Sequence, residues 1–575
     1  MHHRYPNADP IGDEFKVPGS RSLHWNWIVM ISSKNYTVNF DDLSLARIHY
    51  WSSDWGTEWT PHQISAQLPI DIAVTAGRSS KGHHPFIIIE DGNAAHFLAV
   101  AWSGNWQITC SPSLNIINII VATDAEETHI VTKTVSSGGI DAAMREFISD
   151  FRSTDTHTLP KLLTEWNSWW PYEDVDINEA TLLANAACAK KVGIEVAVLD
   201  AGWFGPATKD SHWHNLRGDW DQRNVERFPS GLKAIGNEVR KLGIDFGIWL
   251  EIEALGEKAE LAATHPQFIA ENDGKNLQYV CLGNPDAFTW ALNISKSLIQ
   301  ECGASWIKMD FNVDPGLGCN RTDHGHASAL GLNDHLKNLY SLMDTLKTDY
   351  PDLTIENCSS GGLRWDLAMA SHVDIGFASD PDWPEHSLAC FWASSLFFPA
   401  EKLLGWCDSQ WRGNHPQQDF KAIESSDADL EFALAITLLG GFGISAKLPE
   451  FSESKMQLVG QFVAIYKEYF RPRFQDAAFI RHLTAQPERD HKGARTVAFA
   501  IESASYPPLL TIYQLDGSLS RPTINYLPPK SEAIYQVKNL VSGEILFPRH
   551  QGTLTLENNL KDNAAMILSF IEISG

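Results

Sequence analysis

The sequence predicts a central (β/α)8 TIM barrel between two all-β domains, and three observations lead to this prediction. The chain has 575 residues. This is too long for a single hydrophobic core, so about three domains are expected. From about residue 160, helix patterns and strand patterns alternate, as in a parallel sheet covered by helices. Before about residue 137 and after about residue 478, short strand patterns follow one another without a long helical period.

The N-terminal region, residues 1–158, is predicted to be an antiparallel sandwich with a linking helix. GGIDAAMREFISDFRS (138–153) is the helix. The β-rich runs before it are separated by Gly, Asn, Asp and Ser. They are SLHWNWIVMIS (22–32), YTVNF (36–40), HPFIIIED (84–91), AAHFLAVAWSGNWQITC (94–110) and NIINIIVAT (115–123).

The middle region, residues 159–478, contains eight strand candidates separated by helix patterns. The first long helix has an Asp176-to-Glu179 capping-box spacing and Gly193 as its stop. Eight strands fit a (β/α)8 barrel of roughly 250 residues plus insertions. The candidates are WNSWW (166–170), VAVLDAGW (196–203), FGIWLEIEA (246–254), WIKMDFN (306–312), LTIENCSS (353–360), VDIGFASD (373–380), KLLGWCD (402–408) and GGFGISA (440–446).

The C-terminal region, residues 479–575, is predicted to be a small antiparallel β-sandwich because short strand patterns return there. These patterns are RTVAFAIES (495–503), PLLTIYQL (508–515), GTLTLEN (552–558) and AAMILSFIEI (564–573).

Composition and charge exclude several classes of function. A formal net charge of -26 argues against nucleic acid and anionic membranes as partners. No apolar run is long enough for a membrane span, and MHHRYPNADP lacks a secretory pattern, so we expect a cytoplasmic protein. The cysteines are scattered without a CxxC pair, which argues against a disulfide framework or a structural zinc site. They are Cys110, Cys188, Cys281, Cys302, Cys319, Cys358, Cys390 and Cys407.

Polar side chains end several of the predicted barrel strands. A single strand-end carboxylate often caps the next helix. Recurrence on five of eight strands instead favours a functional site, because catalytic groups collect at the C-terminal rim of such barrels. The side chains are Asp200, Glu251, Glu253, Lys308, Asp310, Cys358, Ser359, Ser360 and Asp380.

Glycoside hydrolysis is the chemistry that fits these groups best. Asp323, His324 and His326 of RTDHGHASAL could bind a metal, but they lie on a Gly-containing loop without strand support, so neither a metal nor a cofactor is predicted. Neither GxxxxGK[ST] nor GxSxG occurs. Paired carboxylates suit glycosidic cleavage. The 21 Trp residues suit sugar faces, although core packing explains most of them equally well.

A series of motifs resembles, in order and spacing, the barrel of glycoside hydrolase family 36. The similarity covers about residues 160–450, and SGNW (103–106) is the one recognisable N-terminal stretch. The resemblance implies an N-terminal β-supersandwich, the barrel, a C-terminal β-sandwich and α-galactosidase activity. The motifs are WNSWWPYEDVDINE, VLDAGWFG, GDWDQ, RFPSGL, FGIWLEIE, WIKMDFN, ENCSSGGLRWDL and FASDPDW.

The resemblance also implies the catalytic pair. Asp310 matches the nucleophile that forms a covalent glycosyl-enzyme intermediate with retention of configuration. Lys308 matches a sugar-binding lysine, whose charge would help to keep Asp310 ionised. Asp380 matches the general acid/base, with Asp382 as the alternative. Burial beside Trp383 would raise the pKa of an acid at this place.

Further residues around the rim of the barrel are predicted to bind the substrate. By resemblance, Asp200 binds sugar hydroxyls, Trp220 is an aromatic platform, and Cys358 lies against the sugar with the glycine backbone that follows it. The full predicted set is Asp200, Trp220, Lys308, Cys358, Gly361, Gly362, Asp219, Trp249, Glu251, Asn312 and Trp383.

Two departures from the family pattern bear on the sugar. The usual DDGW motif reads Asp200-Ala201 here, which removes hydrogen-bond capacity worth about 1–3 kcal/mol. Glu251 or Asp219 could compensate for it. Lys275 stands where arginine is expected, and the two residues are not equivalent at a bidentate site.

Several alternatives therefore stay open. The substrate is predicted to be a terminal α-galactoside, with α-N-acetylgalactosaminide or β-L-arabinopyranoside as alternatives. A transglycosylase of the raffinose-synthase kind shares the mechanism, and an inactive carbohydrate-binding protein is the non-enzyme alternative. A homo-oligomer is also left open. The cluster WSSDWGTEW (51–59) is either a packed sandwich edge or part of an active-site rim.

Overall fold

A computed structural model describes residues 30–155, 159–205, 213–407, 424–517 and 521–573. The predicted fold class is confirmed, because a closed parallel barrel lies between two antiparallel β-regions. Within these ranges, no helix combines the length and the apolar character that a bilayer crossing requires.

The N-terminal region forms two antiparallel sheets, with strand orders β1-β8-β7-β4 and β3-β2-β5-β6-β9. Helix α1, Gly139–Thr154, follows them and buries Phe147 and Ile148. The predicted strand at 22–32 lies largely outside the described residues. The strands are β1 Ser32–Asn39, β2 Arg47–Ser53, β3 Thr60–Ser65, β4 Ile70–Val74, β5 Gly82–Glu90, β6 Ala95–Val100, β7 Trp106–Ser113, β8 Ile116–Thr123 and β9 Ile130–Val135.

Eight parallel strands in the described chain close the barrel in the order β10-β11-β12-β15-β16-β17-β18-β19. Each predicted candidate supplies one of them. Most positions are buried on both faces, because helices cover the outside and side chains fill the inside. The strands are β10 Glu165–Asn167, β11 Val196–Leu199, β12 Asp245–Leu250, β15 Trp306–Met309, β16 Thr354–Asn357, β17 Ile375–Phe377, β18 Leu403–Cys407 and β19 Gly441–Ile444.

The helices around the barrel follow the predicted alternation, with one correction at α3. Its N-cap is Asn178, whose extended backbone lets the side chain accept the N–H of Thr181. The predicted cap, Asp176, instead ends α2. The helices are α2 Trp169–Asp176, α3 Glu179–Lys191, α4 Leu232–Lys241, α5 Glu260–Thr264, α6 Pro285–Cys302, α7 Gly331–Asp349, α8 Leu367–Ala370, α9 Pro384–Ser394, α10 Asp427–Thr437, α11 Glu453–Ile465 and α12 Arg471–Gln475.

A hairpin between β12 and α6 was missed by the sequence prediction. Its strands are β13, Ile269–Asn272, and β14, Lys275–Val280. Asp273 and Gly274 join them with φ of 50° and 76°, so the turn needs the Asp-Gly pair that the sequence displays. Lys275, the expected arginine position, is exposed at the hairpin tip.

The C-terminal region contains a six-stranded antiparallel sheet of order β20-β23-β24-β29-β26-β27 and two small two-stranded sheets. Arg152 at the end of α1 pairs with Glu401 and donates to the carbonyls of Ala477 and Ala478, which ties the N-terminal region to the barrel region. The strands are β20 Phe479–His482, β21 Pro487–Glu488, β22 Lys492–Gly493, β23 Thr496–Glu502, β24 Leu509–Gln514, β25 Ile524–Tyr526, β26 Tyr535–Asn539, β27 Ile545–His550, β28 Leu554–Leu556 and β29 Ala564–Glu572.

Candidate active site

Asp310 follows strand β15 directly, and four donors hold its carboxylate. The backbone N–H groups of Phe311 and Ser360 donate to Oδ1 at 2.8 and 3.3 Å. Trp249 Nε1 and Asn312 Nδ2 donate to Oδ2 at 3.2 and 2.7 Å. A carboxylate held in one orientation by donors from three strand ends is suited to nucleophilic attack.

Lys308 lies one layer deeper in the barrel and pairs with Asp200. Its Nζ lies 3.0 Å from Asp200 Oδ2 and 4.3 Å from the ring centre of Trp406. Both charged side chains are buried. Burial opposes the lysine charge, but Asp200 and the other acidic groups around it raise the pKa of Lys308 well above its usual value. The acidic groups around Lys308 therefore favour its charged form beneath the site.

Asp380 lies three residues after the end of strand β17 and has the properties of a general acid. Burial and then the charge of Asp310 raise its pKa to about 7, although Lys308 and a hydrogen bond oppose the shift. That bond comes from Trp55 Nε1, 2.9 Å from Asp380 Oδ2. A carboxyl with this pKa is partly protonated near neutral pH and can donate a proton there.

Asp382, the alternative acid, is buried. It lines a cavity with Ser387 and Phe391 of α9. Trp383 stacks on His386, with ring centres 4.5 Å apart. The geometry therefore favours Asp380 over Asp382 for the acid/base role.

A buried hydrogen-bond chain behind Asp380 joins all three regions of the protein. Arg489 donates to His386 Nδ1, so the proton of this imidazole lies on Nε2, 2.8 Å from Ser379 Oγ. Ser379 in turn donates to Glu58 Oε2 at 3.0 Å. Burial raises the pKa of Glu58 to about 8 and holds that of His386 well below its usual value. Ser379, the residue before Asp380, is thus held between the side chains of His386 and Glu58.

The N-terminal cluster 51–59 contains residues of a packed sandwich edge and residues of the barrel rim, the two alternatives that the sequence left open. Trp51 and Trp59 are buried in the sandwich and pack edge to face, with ring centres 6.1 Å apart. Trp55 and Glu58 reach the barrel mouth of their own chain. Sequence reasoning raised this cluster but could not separate its members.

Arg78 also reaches the site from the N-terminal region and was missed entirely. It pairs with Asp314 and donates to the carbonyl of Phe311 and to Ser360 Oγ at 3.2 and 3.0 Å. Ser360 has a φ of 47°, in the left-handed region, and its Oγ donates to Asn312. Arg78 therefore supports the two loops that supply hydrogen bonds to Asp310.

Two predicted sugar-binding carboxylates have other partners in the structure. Glu251 is fully buried, pairs with Arg217 at 2.8 Å and accepts the backbone N–H of Asn312 at 2.6 Å. Burial raises its pKa to about 7. Asp219 accepts the N–H groups of Glu260 and Leu261 and so caps α5. The geometry does not support either one as compensation for the missing acid at position 201.

Two predicted aromatic residues lie under the site. Trp220 is buried against Phe204 and Trp249, with ring centres 4.6 and 6.0 Å away, and its indole nitrogen has no hydrogen-bond partner among the described residues. Trp249 is equally buried but donates to Asp310. Trp249 therefore orients the Asp310 carboxylate, while Trp220 packs behind Trp249 instead of presenting an open face.

The predicted glycines allow two loops to touch. A Cβ on Gly361 would lie 2.5 Å from the backbone nitrogen of Asp380, and one on Gly362 would lie 2.3 Å from the carbonyl oxygen of Ala378. The loop after β16 therefore packs directly on the segment 378–380 that follows β17. Cys358 is buried at the same place, and burial and the nearby carboxylates raise the pKa of its thiol well above the usual value.

Fold and site together define a (β/α)8-barrel protein with a two-carboxylate centre at the carboxyl ends of its strands. A family model described as melibiase matches residues 127–475, more than half of the chain. The chain belongs to the melibiase family.

Known relatives agree with this assignment. The α-galactosidase AgaA of Geobacillus stearothermophilus is 25% identical over 334 residues, which are 56% of this chain and 43% of AgaA. The α-galactosidase of Escherichia coli is 25% identical over 382 residues, 61% of this chain and 52% of that protein. The chain spans about half the length of these curated relatives.

Solved structures share the fold. The galactosidase domain of the α-galactosidase-sucrose kinase AgaSK has a TM-score of 0.78 at 19% identity and covers 93% of this chain and 75% of that one. The family 36 α-galactosidase AgaA from G. stearothermophilus has a TM-score of 0.76 at 19% identity, with coverage of 93% and 76%. Variants of AgaA have been solved with raffinose and with stachyose.

Proposed function

We propose that the protein is a retaining exo-α-glycosidase that releases terminal α-galactosyl residues from oligosaccharides. One observation carries the proposal. Asp310, held by four donors, and Asp380, whose pKa is raised to about 7, meet at one barrel mouth. A positioned carboxylate next to a carboxyl group with a raised pKa is the pair that acid-assisted nucleophilic displacement needs.

The mechanism is a double displacement. Asp310 attacks the anomeric carbon, while Asp380 gives its proton to the leaving oxygen. Asp380 is then a carboxylate and takes a proton from the incoming water, which releases the sugar from Asp310 with overall retention. Water competes with other sugars at this second step, so transglycosylation differs only in the acceptor.

The relatives support the galactosyl group and the oligosaccharide class. Several are named α-galactosidases, and the raffinose and stachyose bound by AgaA variants carry sugars of this kind. Ala201 favours a second candidate substrate, a galacto-configured sugar that does not need a second acid at this place. A β-L-arabinopyranoside, which lacks the C6 hydroxymethyl group, meets that condition. For an α-N-acetylgalactosaminide, the argument is instead that the small side chain of Ala201 leaves space for a substituted sugar.

A panel of nitrophenyl glycosides tests the sugar. We expect the α-galactoside to be hydrolysed with a kcat/KM above that of the α-N-acetylgalactosaminide and the β-L-arabinopyranoside. Turnover of either alternative without turnover of the α-galactoside would reject the proposed specificity and leave the mechanism intact.

Two substitutions test the catalytic pair. Asp310→Ala should lower kcat by about 10⁴-fold or more, because the covalent intermediate cannot form. Asp380→Ala should also be slow, but added azide should restore turnover of an activated substrate and yield an azide adduct. Substantial activity in Asp310→Ala would refute the nucleophile assignment, and absence of rescue in Asp380→Ala would refute the acid/base assignment.

A further inference from the structure

Four metal-binding side chains converge at a place away from the catalytic carboxylates. Cys281 follows strand β14, and Cys319, His324 and His326 belong to the loop between β15 and α7. All four are buried, and one ligand atom of each lies within 4.8 Å of the others. None of them is used by the proposed reaction.

The distances fit tetrahedral coordination. Cys281 Sγ lies 3.4 Å from His326 Nε2, and Cys319 Sγ lies 3.4 Å from His324 Nδ1. With Zn–S bonds of about 2.3 Å and Zn–N bonds of about 2.0–2.1 Å, the S···N edge of a tetrahedron is about 3.6 Å. Small adjustments of the side chains would therefore bring all four atoms to bonding distance of one ion.

The orientation of the imidazoles agrees with ligation. His326 Nδ1 donates to the carbonyl of Ala327 at 3.0 Å, which leaves the lone pair of Nε2 facing Cys281. Metal-bound histidines usually donate their second nitrogen in this way. His324 is buried, and its Nε2 has no hydrogen-bond partner among the described residues. The nitrogen that the fold places against a partner is Nδ1, which faces Cys319.

The surrounding chain makes room for the cluster. A Cβ on Gly283 would lie 2.7 Å from the His326 ring and 3.4 Å from Cys281 Sγ. A Cβ on Gly331 would lie 1.7 Å from the carbonyl oxygen of Cys319 and 2.9 Å from the His326 ring. Neither glycine has a positive φ, so space, and not backbone conformation, requires them.

With both thiols protonated and no ion bound, these four side chains would make only weak contacts with one another. Cysteine forms weak hydrogen bonds. Two S–H···N contacts would therefore offset only a small part of the free energy that burial of two imidazoles and two thiols costs. By contrast, a bound cation gives each side chain a strong bond. Asp323, which the sequence grouped with the histidines, is exposed and pairs with Arg321 instead.

We propose that Cys281, Cys319, His324 and His326 form a structural Zn²⁺ site. Two sulfur and two nitrogen ligands in tetrahedral arrangement select zinc, and four protein ligands leave no position for substrate. The ion would clamp the β13–β14 hairpin to the loop that begins with Asp310. This inference does not depend on the proposed activity.

Metal analysis tests the proposal directly. Protein without a histidine tag, purified without chelators, should contain about one zinc per chain. Cys281→Ser and Cys319→Ser should each lose most of it. Cys110→Ser, which changes a buried cysteine of the N-terminal sandwich, should retain it.

Two further measurements cover variants that fail to fold. His324→Cys should keep zinc through three thiolates and one imidazole, whereas His324→Ala should lose it. Removing the metal from the unmodified protein with 1,10-phenanthroline should lower Tm by about 5 °C or more, and Zn²⁺ but not Mg²⁺ should restore it. Unmodified protein without stoichiometric zinc and with an unchanged Tm, or a Cys281–Cys319 disulfide in peptide mapping, would overturn the proposal.

Discussion

The hydrogen bond from Trp55 to Asp380 makes a specific prediction about the pH dependence of activity. Trp55→Phe keeps most of the ring volume but removes the N–H that lies 2.9 Å from Asp380 Oδ2. This bond favours the ionised carboxyl and so lowers its pKa, which burial and Asp310 raise to about 7. Its removal should therefore raise the pKa of Asp380 further.

The size of the change follows from the strength of the bond. A hydrogen bond to a charged group contributes about 1.5–3 kcal/mol. One pKa unit corresponds to about 1.4 kcal/mol, and Asp380 is partly exposed to water, so we expect a shift of about 1 unit. The general acid must be protonated, so activity falls as pH rises through its pKa. The alkaline limb of the variant should thus lie about 1 pH unit higher.

The assay is kcat/KM for melibiose or raffinose. The leaving groups of these sugars are poor, so their release depends on the proton that Asp380 donates. Trp392→Phe is the matched control, since its indole donates to the carbonyl of Thr484 at 3.0 Å, away from the catalytic carboxylates. The control should keep the unmodified profile. An alkaline limb in Trp55→Phe that stays in place or moves to lower pH would refute the reasoning about Asp380.

Three other substitutions extend the argument. Glu58→Gln removes a buried group whose pKa is raised from 4.5 to about 8. The unfolded chain releases this proton above about pH 4.5, so stability falls as pH rises toward about 8, and Tm of the variant should decline less over that range. Gly362→Ala should lower kcat about 10²-fold, because the new Cβ displaces the strand end that carries the acid. Gly405→Ala, which meets open space, should change little in the same kinetic assay. Arg78→Met should lower kcat about 10–10²-fold with little change in KM, since it loosens the loops around the nucleophile. An unchanged kcat with a normal circular dichroism spectrum would contradict that role.

Local patterns were sufficient for the barrel. WIKMDFN and VDIGFASD contain strands β15 and β17, each followed by its predicted carboxylate. A buried strand can be recognised from a short run of consecutive apolar residues. The hairpin at 269–280 was missed although Asp273-Gly274 signals a tight turn. Its short strands lie within a long helix–strand alternation, and that alternation dominated the prediction.

The sequence alone predicted the architecture, because strand and helix patterns are local properties, and its resemblance to a known family singled out Asp310 and Asp380 among the strand-end side chains. Only the tertiary structure decided what surrounds that pair. Trp55 lies 325 positions from Asp380, and Cys281 lies 45 positions from His326. Neither spacing forms a local pattern. Such partners meet because the closed barrel and the packed sandwich bring distant loops to one place, and that requires the whole chain to fold.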